Sequence, residues 1–160
     1  MNALELALQM EKDGENFYRE LAAAATTAGF REIFNQLADD ETKHYQVFQN
    51  MKQQSEQFGE TTILKKANNI FKQMIAEDNL NNLDYSQLEL YQKAMELEKK
   101  SQGFYLEQAA AAADESQKEL WQKIAAEEAK HYFLLHNIYE LVLRPQVWVE
   151  NGEFVHLDDY

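Results

Sequence analysis

The sequence predicts an all-α fold, a four-helix bundle built from two repeated helical hairpins. Three observations support this prediction. Glycine and proline are scarce, with 5 and 1 residues among 160, so the chain lacks the turn residues that an all-β fold requires. Its abundant Ala, Leu, Glu, Gln and Lys residues are good helix formers. When one half of the chain is shifted by 87 residues it matches the other without a gap, so that Glu11 falls on Glu98 and His44 on His131.

The first hairpin is predicted to begin at Asn2. Asn2 and Glu5 form the pattern of a capping box, in which two side chains satisfy the free N–H groups at the start of a helix. Apolar residues then recur at helical spacing to about Thr27. Gly29 is predicted to break the chain before a second helix, which ends in the polar stretch 52–57.

A long connection at residues 58–83 follows the first hairpin. Within it Ile63, Ile70 and Met74 keep a helical period, which predicts a shorter amphipathic helix. Because the connection is long, the second hairpin can enter the bundle in the same sense as the first. The bundle is therefore expected to have one crossover, between its second and third helices.

The second hairpin and a C-terminal tail complete the chain. The two helices of this hairpin each begin at an Asp followed three residues later by a Gln, at Asp84–Gln87 and Asp114–Gln117. Pro145 ends the last helix, so the bundle is predicted to occupy residues 1–143 and the tail residues 144–160. An Asn-Gly pair in the tail predicts a short β-hairpin over residues 147–155.

Charge and composition favour a soluble protein that binds neither nucleic acid nor membranes. The formal net charge is -13, from 28 acidic and 15 basic residues, whereas nucleic-acid-binding proteins carry basic patches and anionic membranes repel acidic surfaces. Such acidity can attract cations, although a solvated acidic surface is its commoner cause. The absence of cysteine excludes disulfides, thiolate metal sites and iron–sulfur clusters. With no long apolar run and no signal-peptide pattern, we expect a cytoplasmic protein.

The repeat also aligns a set of acids and histidines. Each half supplies one glutamate from its first helix and a Glu-x-x-His motif from its second: Glu11 with Glu41 and His44, and Glu98 with Glu128 and His131. Residues three apart lie on one face of a helix, so each motif can direct a carboxylate and an imidazole at the same ion. All four glutamates interrupt apolar stripes, which predicts that they face the interior of the bundle.

These residues predict a site for two metal ions. Ionised carboxylates in a bundle core destabilise it unless their charge is compensated, and two divalent cations would balance four carboxylates while both imidazoles stay neutral. One Glu-x-x-His motif would mean little in so acidic a chain, but two in register with two further glutamates are far more specific. A solvated charged face, or ordinary core histidines, would leave the buried acids unexplained. Carboxylates with one imidazole per ion favour iron, with manganese as the alternative.

In these motifs, and in the segments MEKDGENFYREL and FNQLADDETKHY, the chain resembles the rubrerythrin family within the wider ferritin-like group. The resemblance covers about residues 1–143. It implies a ferritin-like di-iron bundle in which Glu41 and Glu128 bridge the two iron ions and each histidine caps one of them. The catalytic residues would be the six metal ligands: Glu11, Glu41, His44, Glu98, Glu128 and His131.

The resemblance also implies a function. Family members couple Fe(II) oxidation to the reduction of peroxide or oxygen, in oxidative-stress defence or iron handling, and many form homodimers, some by exchanging helical hairpins. The chain is therefore expected to be a di-iron oxidoreductase of peroxidase or ferroxidase type, with two Fe ions or, alternatively, Mn. The other hypotheses are a non-enzymatic iron-binding or storage protein in a larger assembly, and an architectural bundle with an incidental metal.

Two features depart from the family pattern. Without cysteine the sequence contains no rubredoxin domain, so a reductase cycle would need a separate electron donor. Peroxidase-type members carry an extra glutamate one turn after the third-helix ligand; here Ser101 and Gln102 occupy that turn, which argues against peroxidase chemistry by that route. Glu15, four residues after Glu11, could take a similar part from the first helix, contact the ligands from outside, or lie at the rim of the site.

Two tyrosines accompany the predicted ligands. Tyr18 and Tyr105 follow the glutamates of the first and third helices by one heptad, on the same faces. They could donate hydrogen bonds to the ligand carboxylates, or they could pack in the core with their hydroxyls satisfied locally. Neither tyrosine is expected to take part in electron transfer.

Overall fold

The computed structural model describes residues 2–52, 61–77, 83 and 85–151. These residues form α-helices without any strand, which confirms the all-α prediction. The helices are α1 (Ala3–Ala24), α2 (Ala28–Lys52), α3 (Ile63–Ala76), α4 (Leu88–Ala111), α5 (Glu115–Leu143) and α6 (Pro145–Asn151), and a 3-10 turn at Tyr85–Gln87 precedes α4. No helix in this part of the chain is long and apolar enough to cross a membrane.

The two hairpins end their first helices in the same way. Residues 25–27 join α1 to α2, and residues 112–114 join α4 to α5, so each pair packs as an antiparallel hairpin. At the end of α1 the N–H of Ala25 donates to the Ala22 carbonyl at 3.3 Å, and at the end of α4 the N–H of Ala112 donates to the Ala109 carbonyl at 3.3 Å. The sequence repeat is therefore also a structural repeat. We call α1–α2 the first hairpin and α4–α5 the second hairpin.

Two of the three helix starts predicted from capping residues can be compared with the structure. The capping box is present: Asn2 Oδ1 accepts from the Glu5 N–H at 2.9 Å, and the Glu5 carboxylate accepts from the Asn2 N–H at 3.2 Å. Asp114 also caps its helix, accepting from the Ser116 N–H at 2.9 Å. Asp84 lies outside the described residues.

Gly29 does not break the chain, contrary to the prediction. It lies within the first turn of α2, against the crossover helix α3. A Cβ at this position would lie 2.7 Å from Met74 Sδ and 3.1 Å from Ile70 Cγ2. The physical reason for glycine is therefore the close approach of α3, which packs over α2 and α5 inside the predicted connection.

The predicted β-hairpin in the tail is wrong for the part that is described, because residues 145–151 form α6. Pro145 takes the first position of this helix, where its fixed φ is favourable and its missing N–H is not needed. Trp148 anchors α6: its ring lies 5.3 Å from that of Phe71, and its indole N–H donates to Asn137 Oδ1 at 3.1 Å. The rest of the predicted hairpin, from Gly152 onward, lies outside the described residues.

The hydrophobic core is divided into two clusters along the bundle axis. One contains the start of α1 and the ends of α2 and α4, with residues such as Ala7, Phe48 and Tyr105. The other contains the opposite ends of these helices together with α3 and α6. On every long helix the residues between the two clusters include buried acids, and on α2 and α5 also a histidine. A polar layer thus crosses the middle of the bundle.

Candidate metal centre

The polar layer brings together the six acids and histidines that the sequence singled out. They come from all four long helices, and each is at most 4% exposed: Glu11, Glu41, His44, Glu98, Glu128 and His131. We call them the acid–histidine cluster. It contains two groups whose ligand atoms all lie within 4.8 Å of one another: Glu11, Glu41, His44 and Glu128, and then Glu41, Glu98, Glu128 and His131. Glu41 and Glu128 belong to both groups.

Both histidines direct Nδ1 at the carboxylates. The Nδ1 atom of His44 lies 2.8 Å from Glu128 Oε1 and 3.4 Å from Glu11 Oε2. The Nδ1 atom of His131 lies 3.0 Å from Glu41 Oε1 and 3.2 Å from Glu98 Oε1. Each histidine therefore contacts the first-helix glutamate of its own hairpin and the motif glutamate of the other hairpin.

Two further carboxylates contact the other ring nitrogen, Nε2, of the two histidines. Asp40 Oδ2 lies 2.9 Å from His131 Nε2, and Glu127 Oε1 lies 2.8 Å from His44 Nε2. A carboxylate at Nε2 favours the tautomer with its proton there and leaves the Nδ1 lone pair for a metal. The sequence interpretation missed both residues. They directly precede the motif glutamates and fall on each other in the repeat, and that coincidence could have revealed them.

The two tyrosines bond across the hairpins. The hydroxyl of Tyr18 in α1 donates to Glu98 Oε1 in α4, and the hydroxyl of Tyr105 in α4 donates to Glu11 Oε1 in α1. Burial, and then the charge of the bonded glutamate, raise the pKa of each tyrosine well above its usual value. Both hydroxyls therefore stay protonated and act as donors that orient the glutamates.

The comparison with protein families agrees with this geometry. The rubrerythrin family model matches residues 2–139, which is most of the chain. The chain belongs to the rubrerythrin family. Searches of curated proteins and of solved structures found no match. The resemblance inferred from the motifs is thus confirmed, and the buried cluster of this rubrerythrin-family chain could hold metal ions.

In this rubrerythrin-family member Glu15 forms an ion pair on the outside of α1, whereas the two tyrosines bond to the cluster. Its carboxylate lies 3.3 Å from the ammonium of Lys12, one turn earlier on the same helix. Part of its side chain is exposed, as expected for a residue near the rim. Ser101, which occupies the turn where peroxidase-type rubrerythrins carry a glutamate, lines a cavity beside the cluster.

The cluster without metal holds protons. Burial raises the pKa of Glu41 and Glu128 well above 4.5, and the charges of Glu11 beside Glu41 and of Glu98 beside Glu128 raise them further. Such packing of like charges in a buried site disfavours ionisation of all four glutamates at once.

The histidines shift in the same direction for a different reason. Burial alone would lower the pKa of each ring, but the charge of Glu11 beside His44 and of Glu98 beside His131 outweighs burial and raises both pKa values well above 6.5. In the folded, metal-free state Glu41, Glu128 and both histidines therefore bind protons more tightly than in the unfolded chain. Glu98 is the exception: burial would raise its pKa, but the charge of His131 lowers it below 4.5. The contribution of the four groups with raised pKa values is present at low pH and is lost as pH rises through their folded-state values.

The cluster fits metal ions better than it fits protons alone. Five of its buried atoms have no hydrogen-bond partner outside the cluster: Glu11 Oε2, Glu41 Oε1, His44 Nδ1, Glu98 Oε2 and Glu128 Oε1. A buried polar atom left unsatisfied costs about 1–3 kcal/mol, and a cation would satisfy several of these atoms at once. Oxygen donors with one imidazole nitrogen in each group suit iron or manganese.

A cavity connects the cluster with the surface between α1 and α4. Its volume is about 250 Å³, and Glu41, Glu98 and Glu128 line its inner end. Its walls are largely apolar, formed by residues such as Phe17 and Phe104. Leu97, which is 41% exposed, lies at the outer end. Small uncharged molecules can reach the carboxylates by this route.

Proposed function

We propose that this chain is a di-iron carboxylate oxidoreductase that couples oxidation of Fe(II) to reduction of peroxide or oxygen. The observation that carries the proposal is the pair of overlapping acid–histidine groups in the polar layer, with unsatisfied ligand atoms directed at one another. Membership of the rubrerythrin family supports iron as the metal.

The two groups support an assignment of ligands to each ion. Glu11 and His44 would hold one iron, Glu98 and His131 would hold the other, and Glu41 and Glu128, which belong to both groups, would be shared. When bound, the two ions would supply the one-electron steps needed to reduce peroxide or oxygen. The protein's own part is to fix the ligands and to control access.

The side chains around the cluster hold the ligands in place. Asp40 and Glu127 keep the histidine protons on Nε2, away from the metal side of the rings. Tyr18 and Tyr105 each hold one oxygen, of Glu98 and Glu11 respectively, and the second oxygen of each carboxylate is buried without a hydrogen-bond partner outside the cluster. The apolar cavity favours neutral oxidants such as hydrogen peroxide or oxygen over anions. Because the chain has no cysteine, any reductase cycle would take its electrons from a separate donor.

Metal content and absorption spectra test this function. We expect about two irons per chain after anaerobic reconstitution, and a new near-ultraviolet oxo-to-iron band when peroxide or oxygen is added. A faster reaction with peroxide would indicate a peroxidase, and reaction with oxygen alone a ferroxidase. The matched control is the Glu41→Ala/Glu128→Ala double variant, which should stay folded and bind no iron. Less than one metal per chain in the reconstituted wild type would refute the proposal.

The alternative is a non-enzymatic iron-binding or storage protein in a larger assembly. The observation that favours it is a set of exposed leucines on α1 and α4, including Leu6, Leu90 and Leu97, which a neighbouring chain could cover. For either function we propose a homodimer as the smallest assembly, with or without exchange of hairpins. Light scattering on the native particle distinguishes the two functions, because storage in a cage requires many subunits and the enzyme requires two at most.

A further inference from the structure

Thr61 contacts both carboxylates that hold the histidines. It lies in the crossover, two residues before α3, and is partly buried. Its hydroxyl donates to Asp40 Oδ2, and its backbone N–H donates to Glu127 Oε2 at 2.7 Å. The same hydroxyl accepts from the N–H of Ile63 at 3.1 Å, which fixes its orientation at the start of α3.

These contacts form two chains of hydrogen bonds that end at the cluster. One runs from the Thr61 hydroxyl through Asp40 to Nε2 of His131. The other runs from the Thr61 N–H through Glu127 to Nε2 of His44. Because the crossover is not part of the 87-residue repeat, one residue serves both hairpins.

The two chains differ in a way that the repeat does not predict. Asp40 uses a single oxygen, Oδ2, for both Thr61 and His131, whereas Glu127 uses Oε2 for Thr61 and Oε1 for His44. The Asp40 chain depends on a side-chain hydroxyl that substitution can remove. The Glu127 chain depends on a backbone N–H that substitution at this position leaves in place.

We propose that Thr61 is a positioning residue whose hydroxyl sustains the metal affinity of the His131 side of the cluster, so that the two nearly equivalent metal positions respond differently to substitution at this residue. The inference rests on the proposed metal centre. Without the hydroxyl, Asp40 can rotate about its Cβ–Cγ bond, and the His131 ring loses its fixed direction. Loss of a hydrogen-bond partner of a metal-bound histidine typically lowers metal affinity about 10–100-fold. Since Thr61 contacts Asp40 and not the histidine itself, we expect a loss of affinity at the lower end of this range, about tenfold.

Cobalt titration of the metal-free protein tests the proposal without an assay of activity. Thr61→Val removes the hydroxyl at nearly constant shape, Thr61→Ser keeps it, and Thr62→Val is the matched control, since the exposed Thr62 makes no capping hydrogen bond with its side chain. Absorption in the visible range follows anaerobic Co(II) binding, and circular dichroism confirms that each variant is folded.

The expected result is specific to one position. Thr61→Val should bind one Co(II) with wild-type affinity and the second about tenfold more weakly, while Thr61→Ser and Thr62→Val stay within about twofold of wild type. Asp40→Asn should weaken the same position, and adding Thr61→Val to it should have little further effect, because both act through His131.

Three results would overturn the proposal: equal weakening of both positions in Thr61→Val, no weakening in either, or the same loss in Thr61→Ser as in Thr61→Val. Additive losses in the Thr61→Val/Asp40→Asn double variant would also overturn it, because the two residues would then act separately. A wild-type protein that binds no Co(II) and no Fe(II) would instead refute the metal centre itself.

Discussion

Replacing Gly14 by alanine should separate the stability of the metal-free protein from its affinity for metal. Gly14 lies in α1, beside the carboxylate of Glu41 in α2. A Cβ at position 14 would lie 2.8 Å from Glu41 Oε2 and 3.3 Å from Glu41 Cδ. Ordinary contacts between such atoms are about 3.5 Å, so the carboxylate must withdraw by several tenths of an ångström. The carboxylate is the free end of a flexible side chain, and the two helices can therefore stay in place.

The magnitudes for Gly14→Ala nearly cancel in the metal-free protein. Alanine in place of glycine inside a helix stabilises it by about 1 kcal/mol. Forcing Glu41 away from its preferred rotamer costs about 0.5–1.5 kcal/mol. Gly103 in α4 is the matched control, because nothing lies within 4 Å of a Cβ placed there. Gly103→Ala should therefore keep the full gain, which corresponds to a rise in Tm of about 2–4 °C for a chain of this size.

Metal affinity should respond differently from stability: it should fall in Gly14→Ala and stay unchanged in Gly103→Ala. Glu41 belongs to both ligand groups, so its displacement in Gly14→Ala affects both metal positions. We expect affinity for Fe(II) to fall about tenfold or more, whereas Gly103→Ala should bind as the wild type does. Urea unfolding of the metal-free variants and anaerobic Fe(II) titration measure the two quantities. Wild-type affinity in Gly14→Ala would refute the inference that Glu41 must stay against α1 to bind metal.

Three further predictions concern protonation, hydrogen bonding and access. As pH rises above 6.5, the metal-free protein should lose stability in urea, by up to about 1.4 kcal/mol per pH unit for each proton that the folded chain binds in excess of the unfolded chain. Glu41→Gln should reduce this dependence of stability on pH, and an unchanged dependence would count against the raised pKa values. Tyr18→Phe removes the donor to Glu98 and should lower the free energy of unfolding by about 1–3 kcal/mol, as measured in urea at pH 7. Leu97→Trp should narrow the cavity and slow oxidation by peroxide in stopped-flow experiments without changing Fe(II) affinity, whereas Leu106→Trp on the exposed side of the same helix should change neither.

The sequence was sufficient to predict the long helices, the crossover helix and the six acids and histidines that meet in the polar layer, because these follow from local periodicity and from the repeat. The positions of Glu11 and Glu98 within apolar stripes indicated that they face inward, and the structure buries both. Their roles as iron ligands remain predictions. Asp40 and Glu127 were missed because an acid next to another acid usually faces solvent. Their match in the repeat was a signal, and the packed bundle shows that they turn inward.

Other features depend on contacts between distant segments and could not be inferred from periodicity. The tail was mispredicted because an Asn-Gly pair outweighed Pro145, although proline also starts helices. The burial of Trp148 against α3 and α5 then decides between helix and hairpin. Thr61 reaches the cluster only because the crossover returns over the bundle, and no local pattern indicates that path.

The crossed bonds between the hairpins have a consequence for how such a centre could arise. Neither hairpin contains a whole site, because the tyrosine of one holds the glutamate of the other, and Asp40 and Glu127 each hold the other hairpin's histidine. A shorter ancestral chain with a single hairpin would have completed the site only by pairing with a second copy of itself. Gene duplication and fusion would then have joined two partners that already fitted each other. The join also created a segment that neither partner had, and through Thr61 within it the two positions came to depend on different groups of one residue.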